Sequence, residues 1–375
     1  MSETQKHTKP NVPNLRFPGF EGEWERKRIG SIGSFFSGGT PSSSKKEYYG
    51  GVIPFIRSGE IHSDKTELFL TEEGYDNSSA KMVEKGDILL ALYGANSGDI
   101  SISQIQGAIN QAILCIRTDV APVFFKSVWE KHVQRVLNTY LQGGQGNLSA
   151  EIVKGIPLFI PSPREQEKIA GLFSLIEERI AVQSKVIERY ESLIKALRHH
   201  IIASINPVEE ACFSDILSYE QPTRYIVMDT EYSDNEDLTP VLTANKAFIL
   251  GYTDEKEGIY RKGPCIILDD FTLDCKIVDF PFKVKSSAIK ILTTKSSVNL
   301  RYVYEYLRYL DLNTEEHKRH YIAEIEPMSI ALPGKAEIDA IANLFSKLDS
   351  RKQLAERDLE LLKSEKAFYL NSLFI

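Results

Sequence analysis

Three aspartates, Asp269, Asp270 and Asp274, form the tightest cluster in this sequence that could bind a metal ion and cut a phosphodiester. Metal-dependent nucleases use carboxylates of this kind, so a cryptic nuclease is one hypothesis. No further motif supports it: the sequence has no GxxxxGK[ST] loop and no HExxH pair, and the serine of GANSG at 94–98 lies one place too late for a nucleophile elbow. We therefore predict no catalytic residues and no metal site in this chain.

Polar loops that follow apolar strands suit recognition of double-stranded DNA better. Amide side chains can read adenine, Arg can read guanine, and Lys and hydroxyl groups can hold phosphate. Arg57, which follows the predicted strand 53–56, is a candidate for base readout. The other predicted DNA-binding residues are Ser44, Lys45, Lys46, Tyr48, Ser58, Asn96, Ser97, Asn110, Gln111, Gln145 and Asn147 in the first half of the chain, and Thr243, Asn245, Lys246, Thr272, Lys283, Lys285, Lys318 and Arg319 in the second.

The elements that carry these loops occur twice in the same order. Short apolar runs predict strands, and a longer amphipathic stretch predicts a helix. In the first half they are strands 54–56, 86–93 and 112–116 and helix 124–141; in the second, strands 240–242, 263–268 and 289–292 and helix 298–310. The order repeats while the residues differ, which predicts two duplicated globular α/β domains of the α+β class.

A duplicated helix follows each domain. Residues 169–174, IAGLFS, return as residues 341–346, IANLFS. From Ile169 to Ile201, apolar residues alternate at four- and three-residue steps, interrupted only at Gln183, and residues 341–373 carry a weaker version flanked by Leu344 and Leu354. Heptad spacing predicts that the two helices pack on each other as an antiparallel coiled coil. The alternative is two core helices in separate domains.

The pattern divides the chain into five segments. They are an N-terminal arm at 1–20, a first domain at 21–162, a central helix at 163–205, a second domain at 206–332 and a C-terminal helix at 333–375. The net charge of −7 disfavours a general nucleic-acid binder, so contacts with DNA must come from local patches. Four scattered cysteines, and the lack of a signal peptide or a long apolar run, predict a cytoplasmic protein.

At this point the sequence resembles a known family over essentially its whole length: the specificity (S) subunits of Type I restriction-modification systems. The resemblance lies in the ordered combination of several short motifs with the two heptad helices. The motifs are VPNLRF at 12–17, GEW at 22–24, GDIL at 86–89, GGQGNL at 143–148, and IPLFIP at 156–161 followed by Glu165 and Gln166. The second copy departs from the pattern at 333–337, PGKAE, where a Glu-Gln pair is more usual.

The resemblance implies two target recognition domains that each read half of a bipartite, asymmetric DNA target. It also implies that two modification (methyltransferase) subunits dock on the helices, and that restriction (translocase and endonuclease) subunits join them in a bacterial cytoplasm. No cofactor is expected on this chain; the partner subunits would use S-adenosylmethionine, ATP and Mg²⁺. Two alternatives remain: a specificity subunit of a different phage-defence methyltransferase, and a non-catalytic coiled-coil scaffold.

Overall fold

The computed structural model describes residues 11–141, 147–244, 247–295, 297–312, 314 and 318–375. The chain divides into two compact units: unit 1 comprises Met1–Gln183 with Asp358–Ile375, and unit 2 comprises Ser184–Arg357. Each unit contains one mixed α/β domain and about half of each of two long helices. The predicted α+β class and the duplication are confirmed.

Unit 1 begins with a domain of ten strands and three helices, followed by the start of the first long helix. Its strands are β1 Glu25–Arg28, β2 Gly33–Ser37, β3 Tyr49–Ile56, β4 Leu68–Leu70, β5 Lys81–Val83, β6 Ile88–Ala91, β7 Ile100–Ile102, β8 Gly107–Ile109, β9 Ile113–Thr118 and β10 Pro157–Ile160. Its helices are α1 Glu72–Asp76, α2 Pro122–Leu141 and α3 Ala150–Gly155, and the long helix is α4 Pro163–Ala203.

Unit 2 contains counterparts of most of these elements. Its strands are β11 Glu209–Cys212, β12 Leu217–Glu220, β13 Thr239–Leu242, β14 Ile249–Thr253, β15 Cys265–Asp269, β16 Cys275–Val278, β17 Lys283–Val284, β18 Ile289–Thr294 and β19 Ser329–Leu332. Its helices are α5 Phe213–Ile216 and α6 Leu300–Tyr309, and the second long helix is α7 Lys335–Leu373.

The sheets of the two domains have the same strand order, except that β5 has no counterpart among the described residues of unit 2. A four-stranded sheet, β2-β9-β6-β7, corresponds to β12-β18-β15-β16, and a second sheet, β4-β3-β8-β5, corresponds to the three strands β14-β13-β17. In each domain a two-stranded ladder, β1-β10 or β11-β19, joins the segment that enters the domain to the segment that leaves it. The repeated order of elements in the sequence therefore reflects a repeated fold.

The apolar strands are explained by burial on both faces. Along β6, Ile88 and Leu90 belong to the core beneath α2, whereas Leu89 and Ala91 belong to a second core with Ile56 and residues of the other sheet. A sheet covered on both faces requires a continuous apolar run rather than an alternating one. This arrangement accounts for the run ILLA, all four residues of which are buried.

The long helices pack antiparallel within each unit, as predicted. In unit 1 Phe173 stacks on Phe374 with ring centroids 5.5 Å apart, and Lys366 lies 2.9 Å from Glu177. In unit 2 Lys352 lies 2.9 Å from Glu191. Every seam position of the predicted heptads is buried or half-buried.

Two residues next to the second seam do not fit the prediction. Leu344 and Leu354 were expected to extend the apolar contact of this weaker seam, yet they are 38% and 52% exposed. Both lie one position outside the repeating four- and three-residue steps, so they project from the flank of the helix. The seam itself is completed by residues such as Ala355 and Leu362, which are buried.

The described part of the predicted arm makes specific contacts. Arg16 donates from Nε and Nη2 to the two carboxylate oxygens of Glu165, each at 2.8 Å, and Leu15 N donates to Ser372 O at 2.9 Å. Residues 11–20 are therefore held against the start of α4 and the end of α7. None of the helices in the described ranges combines the length and apolarity needed to cross a membrane.

The end of the chain should stabilise unit 1. The Phe374 ring is 2% exposed and lies 5.4 Å from Phe124 and 6.4 Å from Trp24, centroid to centroid. We expect Phe374→Ala to lower the free energy of unfolding by about 3–5 kcal/mol, because it leaves a cavity among aromatic rings. Both tryptophans of the chain, Trp24 and Trp129, lie in unit 1, so their fluorescence in a urea titration reports on this unit.

The matched control is Phe368→Ala on α7, the helix that precedes Phe374. Phe368 is 60% exposed, so its removal should change the unfolding free energy by less than about 1 kcal/mol. Equal effects of the two substitutions would contradict the role assigned to Phe374.

Candidate nucleic-acid interface

In unit 1, four chain segments meet at one end of the two sheets. Strands β3 and β8 run parallel with Ile56 opposite Ile109, so the residues that follow them, Arg57 and Asn110, emerge at the same edge. Residues 110–112 then lead directly into β9, which lies antiparallel to β6.

The end of β6 joins the same group of segments. Leu92, just after β6, donates from its backbone N to Ala112 O at 2.8 Å. We call this set of segments, residues 57–60, 92–98, 110–112 and 147–148, edge 1.

The same junction is present in unit 2. Strands β13 and β17 run parallel with Leu242 opposite Val284, so Thr243 and Lys285 emerge together. Asp270, just after β15, donates from its backbone N to Ala288 O at 2.8 Å. Residues 243–244, 270–274, 285–288 and 318–320 form edge 2.

One further backbone contact shows how closely the two edges correspond. At edge 1, Leu148 N donates to Leu92 O at 3.0 Å; at edge 2, His320 N donates to Asp270 O at 3.0 Å. In both domains, this bond holds the loop that follows the domain helix against the strand end. Asn147 and Arg319 therefore occupy equivalent positions although their side chains differ.

Edge 1 gathers seven of the predicted DNA-binding residues. Asn96 lies beside the turn after β3, since a Cβ added to Gly59 would be 3.5 Å from Asn96 Nδ2. Gln111 accepts a hydrogen bond of 2.6 Å from Thr40 Oγ1. The seven residues are Arg57, Ser58, Asn96, Ser97, Asn110, Gln111 and Asn147. Gln145 lies outside the described residues.

The predicted patch around Tyr48 lies elsewhere. Residues 44–48 precede β3, whereas Arg57 follows it, so the eight residues of the strand separate them by roughly 20 Å. Tyr48 is only 4% exposed, and its hydroxyl accepts a hydrogen bond from Lys45 Nζ at 2.7 Å. The prediction that Tyr48 offers an aromatic surface to DNA is wrong, because its ring is part of the domain interior. Ser44, Lys45 and Lys46 are exposed but do not belong to edge 1.

Arg57 is held by two carboxylates. Its Nε and Nη2 donate to Glu60 at 3.0 and 3.1 Å, and Nη2 also donates to Glu67 at 2.7 Å. Burial would raise the pKa of Glu60, but the hydrogen bonds from Arg57 and from two backbone N–H groups outweigh it and lower the pKa to about 2. To reach a guanine edge, the Arg57 fork would have to leave Glu60, so its use in base readout stays a prediction.

Edge 2 is more basic than edge 1. Lys285 and Arg319 are exposed, and Arg319 lies over the Phe271 ring at 5.9 Å. Lys318 is also exposed and forms an ion pair of 3.1 Å with Glu324. Thr243 and Thr272 belong to the same edge, and Asn245 and Lys246 lie outside the described residues.

The prediction that Lys283 binds DNA is wrong. Its side chain is 2% exposed, lies 2.6 Å from Glu255 and donates to Glu257 O at 2.8 Å. Lys283 lies within β17 and is buried, whereas Lys285 follows the end of the strand and is exposed. Lys283 therefore stabilises the domain interior and is not a DNA contact.

The aspartate cluster has a structural role as well. The Asp270 carboxylate accepts from His320 N at 3.1 Å and Tyr321 N at 2.8 Å and lies 3.5 Å from Lys290 Nζ. Asp269 accepts from the backbone N–H groups of Phe271 and Thr272. Within the described residues, no group of three His, Cys, Asp or Glu side chains is arranged to hold a metal ion.

Sequence reasoning missed two contributors to the edges. Thr40 reaches Gln111 because Gly38 packs directly on Ile109 O, where a Cβ would clash at 1.7 Å; the pair Gly38-Gly39 was the available signal. Lys290 holds Asp270 although only 1% of its surface is exposed. A lysine inside the apolar run of β18 was the signal for this buried pair.

Comparison with known proteins agrees with this geometry. Residues 21–191 match the Type I restriction modification DNA specificity domain. The chain is 46% identical over 132 residues to the EcoR124I/EcoR124II specificity subunit of Escherichia coli, covering 34% of this chain and 32% of that protein. It is 26% identical over 301 residues to the MjaIX specificity subunit of Methanocaldococcus jannaschii, covering 74% and 67%.

Superposition on solved structures supports the fold independently of the sequence comparisons. The S subunit of a Type I restriction-modification system from M. genitalium superposes with a TM-score of 0.68 at 14% identity, over 97% of this chain and 99% of that one. A second structure, from a study of assembly and conformational transition of a Type I system, gives 0.54 at 13% identity, over 96% and 99%. The solved structures thus share the fold of this chain, and the chain spans about a third of the length of the E. coli specificity subunit that it matches.

The Arg57–Glu60 pair makes a prediction about pH. A carboxylate whose folded pKa is lowered from 4.5 to about 2 adds stability that is complete above pH 4.5 and is lost as the pH falls toward 2. We expect the stability difference between wild type and Glu60→Gln, measured by tryptophan fluorescence in urea, to be constant above pH 5 and to shrink below pH 4.5. Glu67→Gln is the control, because Glu67 is 81% exposed. A difference independent of pH from 6 to 3 would contradict the pairing.

Lys285 and Lys283 provide a matched test of edge 2. Lys285→Ala should reduce affinity for duplex DNA and lower the slope of log affinity against log salt by about one, as for the loss of one phosphate contact. Lys283→Met should instead destabilise the fold and leave the salt slope unchanged. Lys347→Ala, an exposed lysine on α7, should change neither. An unchanged salt slope for Lys285→Ala in a titration by fluorescence anisotropy would place Lys285 outside the interface.

Proposed function

We propose that this chain is the DNA sequence-specificity subunit of a Type I restriction-modification complex, in which each edge reads one half of a bipartite, asymmetric target. The observation that carries the proposal is the duplicated junction with different side chains. Arg57, Asn110 and Asn147 at edge 1 have Thr243, Lys285 and Arg319 at the equivalent positions of edge 2. One backbone frame that presents two sets of donors and acceptors suits two unlike half-sites.

The chemistry of the complex would be supplied by other subunits. Asp269 and Asp270, the best candidates for catalysis in the sequence, are engaged by backbone N–H groups and by Lys290. We infer that the chain is not an enzyme by itself and binds no cofactor. Methyl transfer from S-adenosylmethionine to adenine, and the steps that use ATP and Mg²⁺, would be performed by partners in the bacterial cytoplasm.

The partners we propose are double-stranded DNA, two modification (methyltransferase) subunits and the restriction (translocase and endonuclease) subunits. The coiled coil formed by α4 and α7 is the candidate docking surface, since exposed apolar residues such as Val182, Leu361 and Phe368 line its outer side in unit 1. The net charge of −7 supports dependence on partners, because much of the basic surface around a duplex would have to come from them.

Domain exchange tests this function directly. We expect replacement of residues 213–328, which lie between β11 and β19, by the equivalent domain of a relative to change one half of the methylated motif and to leave the other half intact. The measurement is the modified-adenine motif in DNA from cells that express the chain with its methyltransferase. The reciprocal control replaces residues 29–156, between β1 and β10, and should change the other half.

Two results would contradict the proposal. A motif whose two halves change together would show that the domains do not read DNA separately. Adenine methylation by the purified chain alone would show that it is an enzyme. If unmodified DNA that carries the motif is never cut by any partner, the chain serves a methyltransferase of a different phage-defence system.

A further inference from the structure

A ring of four charges joins the first domain to the two long helices. It consists of Lys126 and Glu130 on α2, Glu177 on α4 and Lys366 on α7. Lys126 lies 2.5 Å from Glu177 and 3.3 Å from Glu130, and Lys366 lies 2.7 Å from Glu130 and 2.9 Å from Glu177. Each cation thus contacts both anions, and the side chains are only 14–28% exposed. We call these residues joint cluster 1.

The second domain has a corresponding cluster. Arg301 and Glu305 lie on α6, Arg198 on α4 and Asp349 on α7. Arg301 pairs with Glu305 at 2.6 Å and with Asp349, and Arg198 lies 2.7 Å from Glu305, which is fully buried. These four residues form joint cluster 2.

Three of the four charges in the two clusters correspond in position and in sign. The cation and anion of the domain helix, Lys126 and Glu130, recur 175 residues later as Arg301 and Glu305, and Glu177 recurs 172 residues later as Asp349. The remaining cation comes from the other long helix in each cluster but not from an equivalent position, since the 172-residue shift pairs Lys366 with Ile194 and Arg198 lies four residues after Ile194. At these three equivalent positions Lys126 is replaced by Arg301 and Glu177 by Asp349, whereas the sign of the charge is the same. The duplication has therefore kept most of the electrostatic arrangement and not only the fold.

Charge clusters of this kind resist rotation of each domain relative to α4 and α7. Each cluster connects three elements, and its pairs are screened less by salt than fully exposed ones. Removing one member leaves a partly buried charge without its partner, which is more costly than losing a surface ion pair. Burial would raise the pKa of Glu177, but Lys126 and Lys366 outweigh it, so this pKa lies below its ordinary value.

We propose that the joint clusters fix the orientation of each recognition domain on the helix pair, and thereby set the number of base pairs between the half-sites that the complex accepts. This inference rests on the proposed function. None of the eight residues belongs to edge 1 or edge 2, so the clusters act as positioning residues and not as readers of bases.

The test uses the full chain in complex with its methyltransferase subunits and a set of DNA duplexes whose two half-sites are separated by different gaps. The variants are Glu177→Lys, which sets three cations against Glu130, and Glu177→Gln, which removes one charge. The rescue variant inverts the whole ring: Lys126→Glu, Glu130→Lys, Glu177→Lys and Lys366→Glu. Glu360→Lys is the control, because Glu360 makes the same charge change at a site 70% exposed on α7.

In wild type, affinity should peak at one gap and fall when the gap changes by one base pair. We expect Glu177→Lys to reduce this discrimination by about tenfold, Glu177→Gln by less, and the inverted ring to restore it to within about threefold. Base preference inside each half-site should be the same in all variants. If Glu177→Lys does not fold, Glu177→Gln and the inverted ring decide the outcome.

Several results would overturn the inference. They are an unchanged gap profile in folded Glu177→Lys or Glu177→Gln, an inverted ring that folds but does not restore discrimination, and altered base preference in place of altered gap preference. A wild-type complex with no preferred gap would instead refute the proposed function.

A second measurement tests the joint without DNA. Spin labels at Asp76→Cys on α1 and Glu167→Cys on α4, both exposed positions of unit 1, report the distance between domain and helix in a Cys212→Ser background. We expect a narrow distance distribution in wild type and in the inverted ring and a broader one in Glu177→Lys. Equal widths would show that joint cluster 1 does not fix the domain.

Discussion

The antiparallel seam between α4 and α7 is the interaction on which both units depend. Unit 1 is not a continuous stretch of chain, because it combines Met1–Gln183 with the last part of α7, whereas unit 2 is the continuous segment Ser184–Arg357 and carries the remaining parts of both helices. The seam brings Phe374 from the chain terminus to Phe173, Phe124 and Trp24, and Phe345 into the core around Tyr302. Each domain therefore completes its core with residues that are far away in sequence.

Within each domain, one parallel strand pair positions the candidate interface. Parallel strands leave a sheet in the same direction, so Arg57 and Asn110, and likewise Thr243 and Lys285, must lie side by side. The backbone bonds at Leu92 and Asp270 add the next strand end to each group. The frame is set by main-chain pairing, which leaves the side chains at the edges free to differ between the two copies.

The repeats made much of this organisation predictable. Heptad spacing gave the antiparallel helices, and the repeated order of apolar runs gave the duplicated domains with their loops. The sequence could not show which loops meet, because that depends on strand order: residues 44–48 and Arg57 are near in sequence but lie at opposite ends of β3. It also could not separate Lys283 from Lys285, since they are two residues apart and only the structure shows that Lys283 is buried within β17.

Buried ion pairs were the second feature that the sequence could not predict. Lys290 with Asp270, and Arg301 with Glu305 and Asp349, join residues whose separation in sequence carries no periodic signal. A charge pattern on a helix is usually a solvated face, and only the structure shows that these charges face a neighbouring element. The internal duplication, once aligned by structure, shows which of the charges are repeated.

The central claim is that the two edges read separate half-sites, and hydrogen–deuterium exchange of the methyltransferase complex tests it most directly. The complex is compared with DNA that carries only the first half-site and with DNA that carries only the second. We predict that one DNA protects residues 92–98 and 110–112, and that the other protects residues 270–274 and 285–288. Protection of both edges by either DNA, or of neither edge by both, would contradict the account.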